Sequence, residues 1–185
     1  MGLDPGFKRL GFGVLETKKD EISLITYGVI SNERDDATWN QHLNQGIAWI
    51  ATELPRLIDR SRPSIIVAEL VPPGKLGSND ALVTAAVTTC KVIAFQFGVP
   101  WHDIAASTVK KQLTGDGRAT KARVKNSVFD LFPSVEGDHI NLKKEQKAQG
   151  EKAVGLPQDA FDGLGISYIG CQIYGKEKDE VMQAV

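Results

Sequence analysis

Ser64-Ile65-Ile66-Val67-Ala68-Glu69 is an unbroken apolar run, mostly β-branched, that ends on a carboxylate. A short run of this kind without alternation predicts a strand covered on both faces at the centre of a sheet. Upstream of it, Leu43, Ile47, Ile50, Leu54 and Ile58 recur at helical steps, with Pro55 predicted to kink or weaken the helix near its end. Further upstream, residues 22–30 and Gly11-Phe12-Gly13-Val14-Leu15 read as strands, the second following the turn-like Gly2-Leu3-Asp4-Pro5-Gly6. Downstream, Pro72-Pro73-Gly74 breaks the chain, and Ser78-Asn79-Asp80 caps a long helix through Val83, Val87, Val92 and Phe95 with Gly98 as its stop. Residues 99–104 return as a strand. Ser107 or Thr108 opens a helix, Gly115-Asp116-Gly117 interrupts it, Thr120 caps another, and Leu156-Pro157-Gln158-Asp159 begins the last. Strands first, then strands and helices in alternation, predict an α/β fold with a mixed sheet and helices on its faces.

A chain of 185 residues and 20.1 kDa suits one domain, expected over residues 1–175. Residues 134–157 balance lysines against acids without a clear apolar period and are expected as a mobile surface insertion, and residues 176–185 as a polar tail. With 42% apolar and 24% charged residues, disorder and fibrous repeats are excluded. Cys90 and Cys171 stand apart, without zinc-ligand spacing or a disulfide framework. No apolar run approaches the ~18 residues of a membrane span, and the start lacks a basic leader, so a cytoplasmic protein is expected. The net charge of −1 excludes holding a polyanion by bulk charge alone.

Four acids are placed where a structural role explains them poorly. Asp4 lies at the end of the first strand, Glu69 ends the central strand, and Asp159 and Asp162 share a helical face at i, i+3 spacing. Singly, each has a plain reading: a turn former, an edge ion pair, or acids complementing a helix N-terminus. Jointly, converging at one end of a sheet, they would repel one another unless a cation neutralised them. Hard divalent ions take oxygen ligands, and two of them about 3.5–4 Å apart clamp the attacking and leaving oxygens of a phosphodiester. The second signal is basic: over residues 108–125, Lys110, Lys111, Arg118, Lys121, Arg123 and Lys125 against Asp116 leave a local +5. Such a patch suffices for phosphate contacts, with the glycines at 115 and 117 permitting close backbone approach and the Thr120 helix start offering N–H groups.

Gly2-Leu3-Asp4-Pro5-Gly6 with Gly11-Phe12-Gly13-Val14, Val67-Ala68-Glu69, the segment from Val109-Lys110 to Lys121, and Asp159-Ala160-Phe161-Asp162-Gly163 follow one another in an order that resembles the RuvC-type Holliday junction resolvases. The likeness spans residues 2–168. It implies a ribonuclease H-like fold with a mixed five-stranded sheet and helices on both faces. It further implies a homodimer that resolves four-way or other branched DNA by paired symmetric nicks leaving 5′-phosphates. Asp4, Glu69, Asp159 and Asp162 become the catalytic metal ligands for two Mg2+ ions, with Mn2+ able to substitute. Lys110 and Lys121 become contacts to the scissile-side phosphates, with Lys111, Arg118 and Arg123 as further DNA-binding residues, and the helix from Ser78 contributes to the dimer interface. Three departures stand out: only Met1 precedes the first motif, no aromatic follows Glu69 in Leu70-Val71-Pro72-Pro73, and the insertion at 134–157 is long. Two other functions suit the same features: a catalytically silent module that binds branched nucleic acid, and a ribonuclease H-like nuclease acting on an RNA/DNA hybrid. His42, His102 and His139 suggest no partner, and Trp39, Trp49 and Trp101 read as packing residues.

Overall fold

A computed structural model describes residues 1–19, 21–32, 39–71 and 78–175. Five strands, β1 (Gly2–Pro5), β2 (Arg9–Lys18), β3 (Glu21–Ser31), β4 (Ile66–Glu69) and β5 (Trp101–Ile104), form one sheet in the order β3-β2-β1-β4-β5. Strand β2 is antiparallel to both of its neighbours, β1 and β3, while β1, β4 and β5 run parallel. The expected mixed five-stranded sheet is therefore present, with β1 and β4 at its centre.

Alternation along the strands divides the side chains between two layers. Leu3, Leu10, Ile66 and Ala68 turn to one face and pack on Ile50 and Leu54 of α1 (Trp39–Ser61) and on Ala86, Cys90 and Ala94 of α2 (Ser78–Gln96). Pro55 lies within α1, which continues past it to Ser61. The other face is covered by α6 (Gln158–Tyr174), flanked by α3 (Ala106–Thr114), α4 (Lys121–Leu131) and α5 (Pro133–Ala148). Its core joins Val67, Ile104, Val109, Ile166 and Ile169 to a second group of Val128, Phe132, Val135, Phe161 and Leu164.

Helix α6 lies directly on the sheet because glycines remove the side chains between them. A Cβ on Gly13 would stand 2.6 Å from Leu164 Cα, and one on Gly163 2.6 Å from the Phe12 amide nitrogen. A Cβ on Gly2 would collide with the Ser167 backbone, and one on Gly11 with the carbonyl oxygen of Asp159. This contact was not evident in the sequence, where Gly2, Gly11 and Gly13 read as part of a turn and a strand and Gly163 as part of the last helix.

One expectation is corrected. Most of 134–157 is helix α5: Pro133 stands at its start, Glu136 in its first turn and Lys147 in its last, an arrangement that favours a helix end to end. The loop beyond is held by the Gln146 side-chain oxygen, which accepts from the amides of Val154 and Gly155, and by His139 Nδ1, which accepts from the Leu156 amide. In the 115–117 turn, Gly115 adopts φ +77° to end α3, and Asp116 accepts from the Arg118 amide. The tail at 176–185 lies outside the described residues, as do Pro72-Pro73-Gly74. Cys90 and Cys171 are both free, and among the described residues no helix is long and apolar enough to cross a membrane.

Candidate functional site

The register of the central strands decides where the first two acids go. Leu3 of β1 pairs with Ala68 of β4, and Asp4 and Glu69 each stand one residue further along these parallel neighbours. Both therefore turn to the face opposite Leu3 and Ala68, which is the α6 face. Asp4 also pairs with Gly11 across the antiparallel β1–β2 ladder, and the space above Gly11 is taken by the backbone of Asp159. The glycine contact thus sets the first turn of α6 over the end of β1, and one further turn carries Asp162 to the same place.

Electrostatics reports the convergence. Burial pushes the Asp4 carboxyl up to about 7, and the charges of Asp162, Asp159 and Glu69 add to the effect. Burial also raises Glu69, with Asp162 acting in the same direction, while Lys110 and Lys121 oppose the rise. Asp162 is raised mainly by burial, against a hydrogen bond from Gln158 Nε2 at 3.0 Å and the charges of Lys121 and Lys110. All four acids thus share one site, with Lys110 of α3 and Lys121 of α4 facing it.

Arg9, the first residue of β2, was missed by sequence reasoning. Its Nε lies 2.9 Å from Asp159 Oδ2, at ion-pair distance but without hydrogen-bond geometry. The available signal was weak: Arg9 sits two residues before Gly11 and so shares its face of the sheet. Among the described residues, no three His, Cys, Asp or Glu side chains are gathered into a ready ion cage. Asp159 is turned to Arg9 and Asp162 to Gln158.

The basic residues divide into two groups. Arg123, expected to bind DNA, donates to Asp116 Oδ2 at 3.0 Å and to the Thr114 carbonyl at 3.1 Å, stapling the α3–α4 turn. Its amide meets the hydroxyl of Thr120, the expected cap of α4. Lys111 and Arg118 are exposed on the same turn, and Lys110 and Lys121 lie nearest the carboxylates. His102 stacks on Tyr174, and His139 meets Phe129 at a tilt and Phe161 edge to face; Trp49 and Trp101 pack against the core as expected. The side chains of His42 and Trp39 lie outside the described residues.

A mixed sheet in this order, with a carboxylate-bearing helix laid across its centre, defines a protein of the ribonuclease H-like class. The chain superposes on Thermus thermophilus RuvC with a TM-score of 0.61, at 22% identity over 96% of this chain and 95% of that one. A second T. thermophilus structure, "RuvC in complex with Holliday junction substrate", gives a TM-score of 0.69 at the same identity, over 96% and 94%. In sequence, the chain is 28% identical to a crossover junction endodeoxyribonuclease RuvC from Pseudothermotoga lettingae, covering 93% of each chain. It is 29% identical to one from Petrotoga mobilis, covering 91% of this chain and 90% of that one. Residues 1–139 match the family described as crossover junction endodeoxyribonuclease RuvC, and the chain belongs to that family. The activity of that family is that of a divalent-metal-dependent crossover junction endodeoxyribonuclease.

Proposed function

We propose that Asp4, Glu69, Asp159 and Asp162 are the metal ligands of this endonuclease, holding two Mg2+ ions for which Mn2+ can substitute. The observation that carries the assignment is the strong upward shift of Asp4 by burial and three neighbouring carboxylates, a charge cluster that a divalent ion would relieve. The donor set consists of hard carboxylate oxygens, which suits these ions. Binding entails turning Asp159 away from Arg9 and Asp162 away from Gln158. Bound there, the ions would supply an activated water and stabilise the departing 3′-oxygen. Lys110 and Lys121 would neutralise the phosphate entering beside the acids, and Lys111 and Arg118 would carry the flanking backbone; Arg123 supports the turn that presents them.

On this reading a homodimer places two such sites about a two-fold axis, matching a two-fold symmetric four-way junction, and makes paired nicks that leave 5′-phosphates. A DNA substrate of this kind accords with a cytoplasmic location. The test is incubation with a labelled four-way junction, a duplex and an RNA/DNA hybrid, with Mg2+, with Mn2+ and with EDTA. Metal-dependent nicking of the junction is expected. Binding without cutting would reassign the chain as a silent junction-binding module, and preferential cutting of the hybrid would reassign it as a ribonuclease.

A further inference from the structure

The ion pair between Arg9 and Asp159 joins an exposed cation to a half-buried carboxylate in the middle of the charge cluster. The arginine side chain is 58% exposed and the aspartate 24%. The two meet because Gly11, two residues along β2 on the same face, admits the Asp159 backbone and leaves the carboxylate beside the Arg9 stem. The contact lacks hydrogen-bond alignment, and Asp159 Oδ2 is otherwise buried without a partner. Strong guanidinium–carboxylate bridges are frequently aligned and two-pronged, and this contact lacks that alignment. Here an exposed positive charge rests against a carboxylate that acts electrostatically on two further acids, Asp4 and Asp162.

We propose that Arg9 is a positioning residue that serves as an internal counter-cation: it holds Asp159 while the site lacks a divalent ion and competes with that ion for the carboxylate. The proposal rests on the assignment of Asp159 as a metal ligand. An exposed guanidinium is a weak competitor, because ion pairs at exposed positions contribute little and are screened by salt. The site is thereby kept from collapsing by carboxylate repulsion in the free protein and still yields to a divalent ion. Nothing in the reaction is assigned to Arg9; its effect is on occupancy.

The experiment titrates the full-length protein with Mn2+ in the absence of DNA, reading free Mn2+ by electron paramagnetic resonance. Arg9→Gln is expected to bind Mn2+ roughly two- to fivefold more tightly than wild type at low ionic strength. Arg9→Lys should stay near wild type, and the gain should shrink in about 0.5 M KCl as the pair is screened. In an Asp159→Asn background, Arg9→Gln should add nothing, because the coupling runs through that carboxylate. Unchanged or weaker Mn2+ binding by Arg9→Gln, with wild type binding normally, overturns the proposal, as does a gain that survives in the Asp159→Asn background. Failure of the wild type to bind Mn2+ at all overturns the metal-ligand assignment itself, and the proposal with it. A purely structural Arg9 would show a lowered melting temperature with Mn2+ affinity unmoved.

Discussion

Burial and three neighbouring carboxylates act on Asp4 in the same direction, and its folded-state value of about 7 lies far above the ordinary 3.8. The native metal-free protein therefore binds this proton more tightly than the unfolded chain does. The corresponding stability is fully present below about pH 4 and is lost as pH rises through 7. Glu69 and Asp162 are raised as well and work with the same sign. Melting in EDTA should thus show a lower transition at pH 8 than at pH 5.5. Asp4→Asn should raise the pH 8 transition by about 3 °C or more and flatten the pH dependence; an unaltered profile would remove Asp4 from the cluster. Asp162→Asn tests the chemistry at the same scale. It should abolish junction cutting, measured on a labelled junction in Mg2+, while junction binding in a gel-shift assay persists or tightens as repulsion from phosphate falls. The four acids were legible in the sequence as candidates through their joint order, an acid in the first strand, one ending a buried strand and a pair on a late helix, since singly each has a plain reading. Arg9 was not, since one basic residue at a strand start has no local signature.

Elements explain why those residues meet. Helix α6 reaches β1 and β2 because Gly2, Gly11 and Gly13 face it from the sheet and Gly163 faces the sheet from the helix. Spacing alone could not reveal this, since the close approach becomes visible only when the strand register and helix position are known together. Gly163→Ala would drive a methyl into the Phe12 backbone and should cost about 1–3 kcal/mol by denaturant unfolding, with cleavage falling further as Asp159 and Asp162 shift. Gly137→Ala in α5, where an added methyl meets nothing, should be neutral or slightly stabilising. Helix α5 itself escaped sequence reading because Val135 and His139 are its only buried side chains, too few for an apolar stripe. The α3–α4 turn was read correctly as basic but not in its division of labour. Lys110→Ala or Lys121→Ala should each slow cleavage roughly tenfold and lower the salt slope of junction binding by about one. Arg123→Ala should instead show mainly as lost stability, because its partners are Asp116 and Thr114.

For the whole molecule, the net charge of −1 conceals an acidic cluster at the end of β1 and β4 beside a basic turn, so the total says little about DNA. Apart from α5, the order of elements was legible from periodicity, and the mixed five-stranded sheet followed from the family resemblance, whereas the order of the strands within it is seen only in the structure. What a lone chain leaves uncovered bears on assembly. Val92 and Phe95 of α2 and the adjoining Phe97 are exposed, Phe95 to 64%. By helical geometry Val92 and Phe95 lie opposite Ala86, Cys90 and Ala94, which pack on the sheet. On the proposed homodimer, a second copy of the same helix would cover these exposed apolar side chains. Phe95→Glu should therefore leave the fold and its melting temperature nearly unchanged, because the side chain contributes little to the core. The same substitution should shift the protein from dimer to monomer in sedimentation at micromolar concentration. Paired nicking in one junction-binding event should be lost, leaving slower, uncoupled single nicks. A Phe95→Glu protein that sediments as a dimer and nicks in pairs would place the two-fold axis on another face of the molecule.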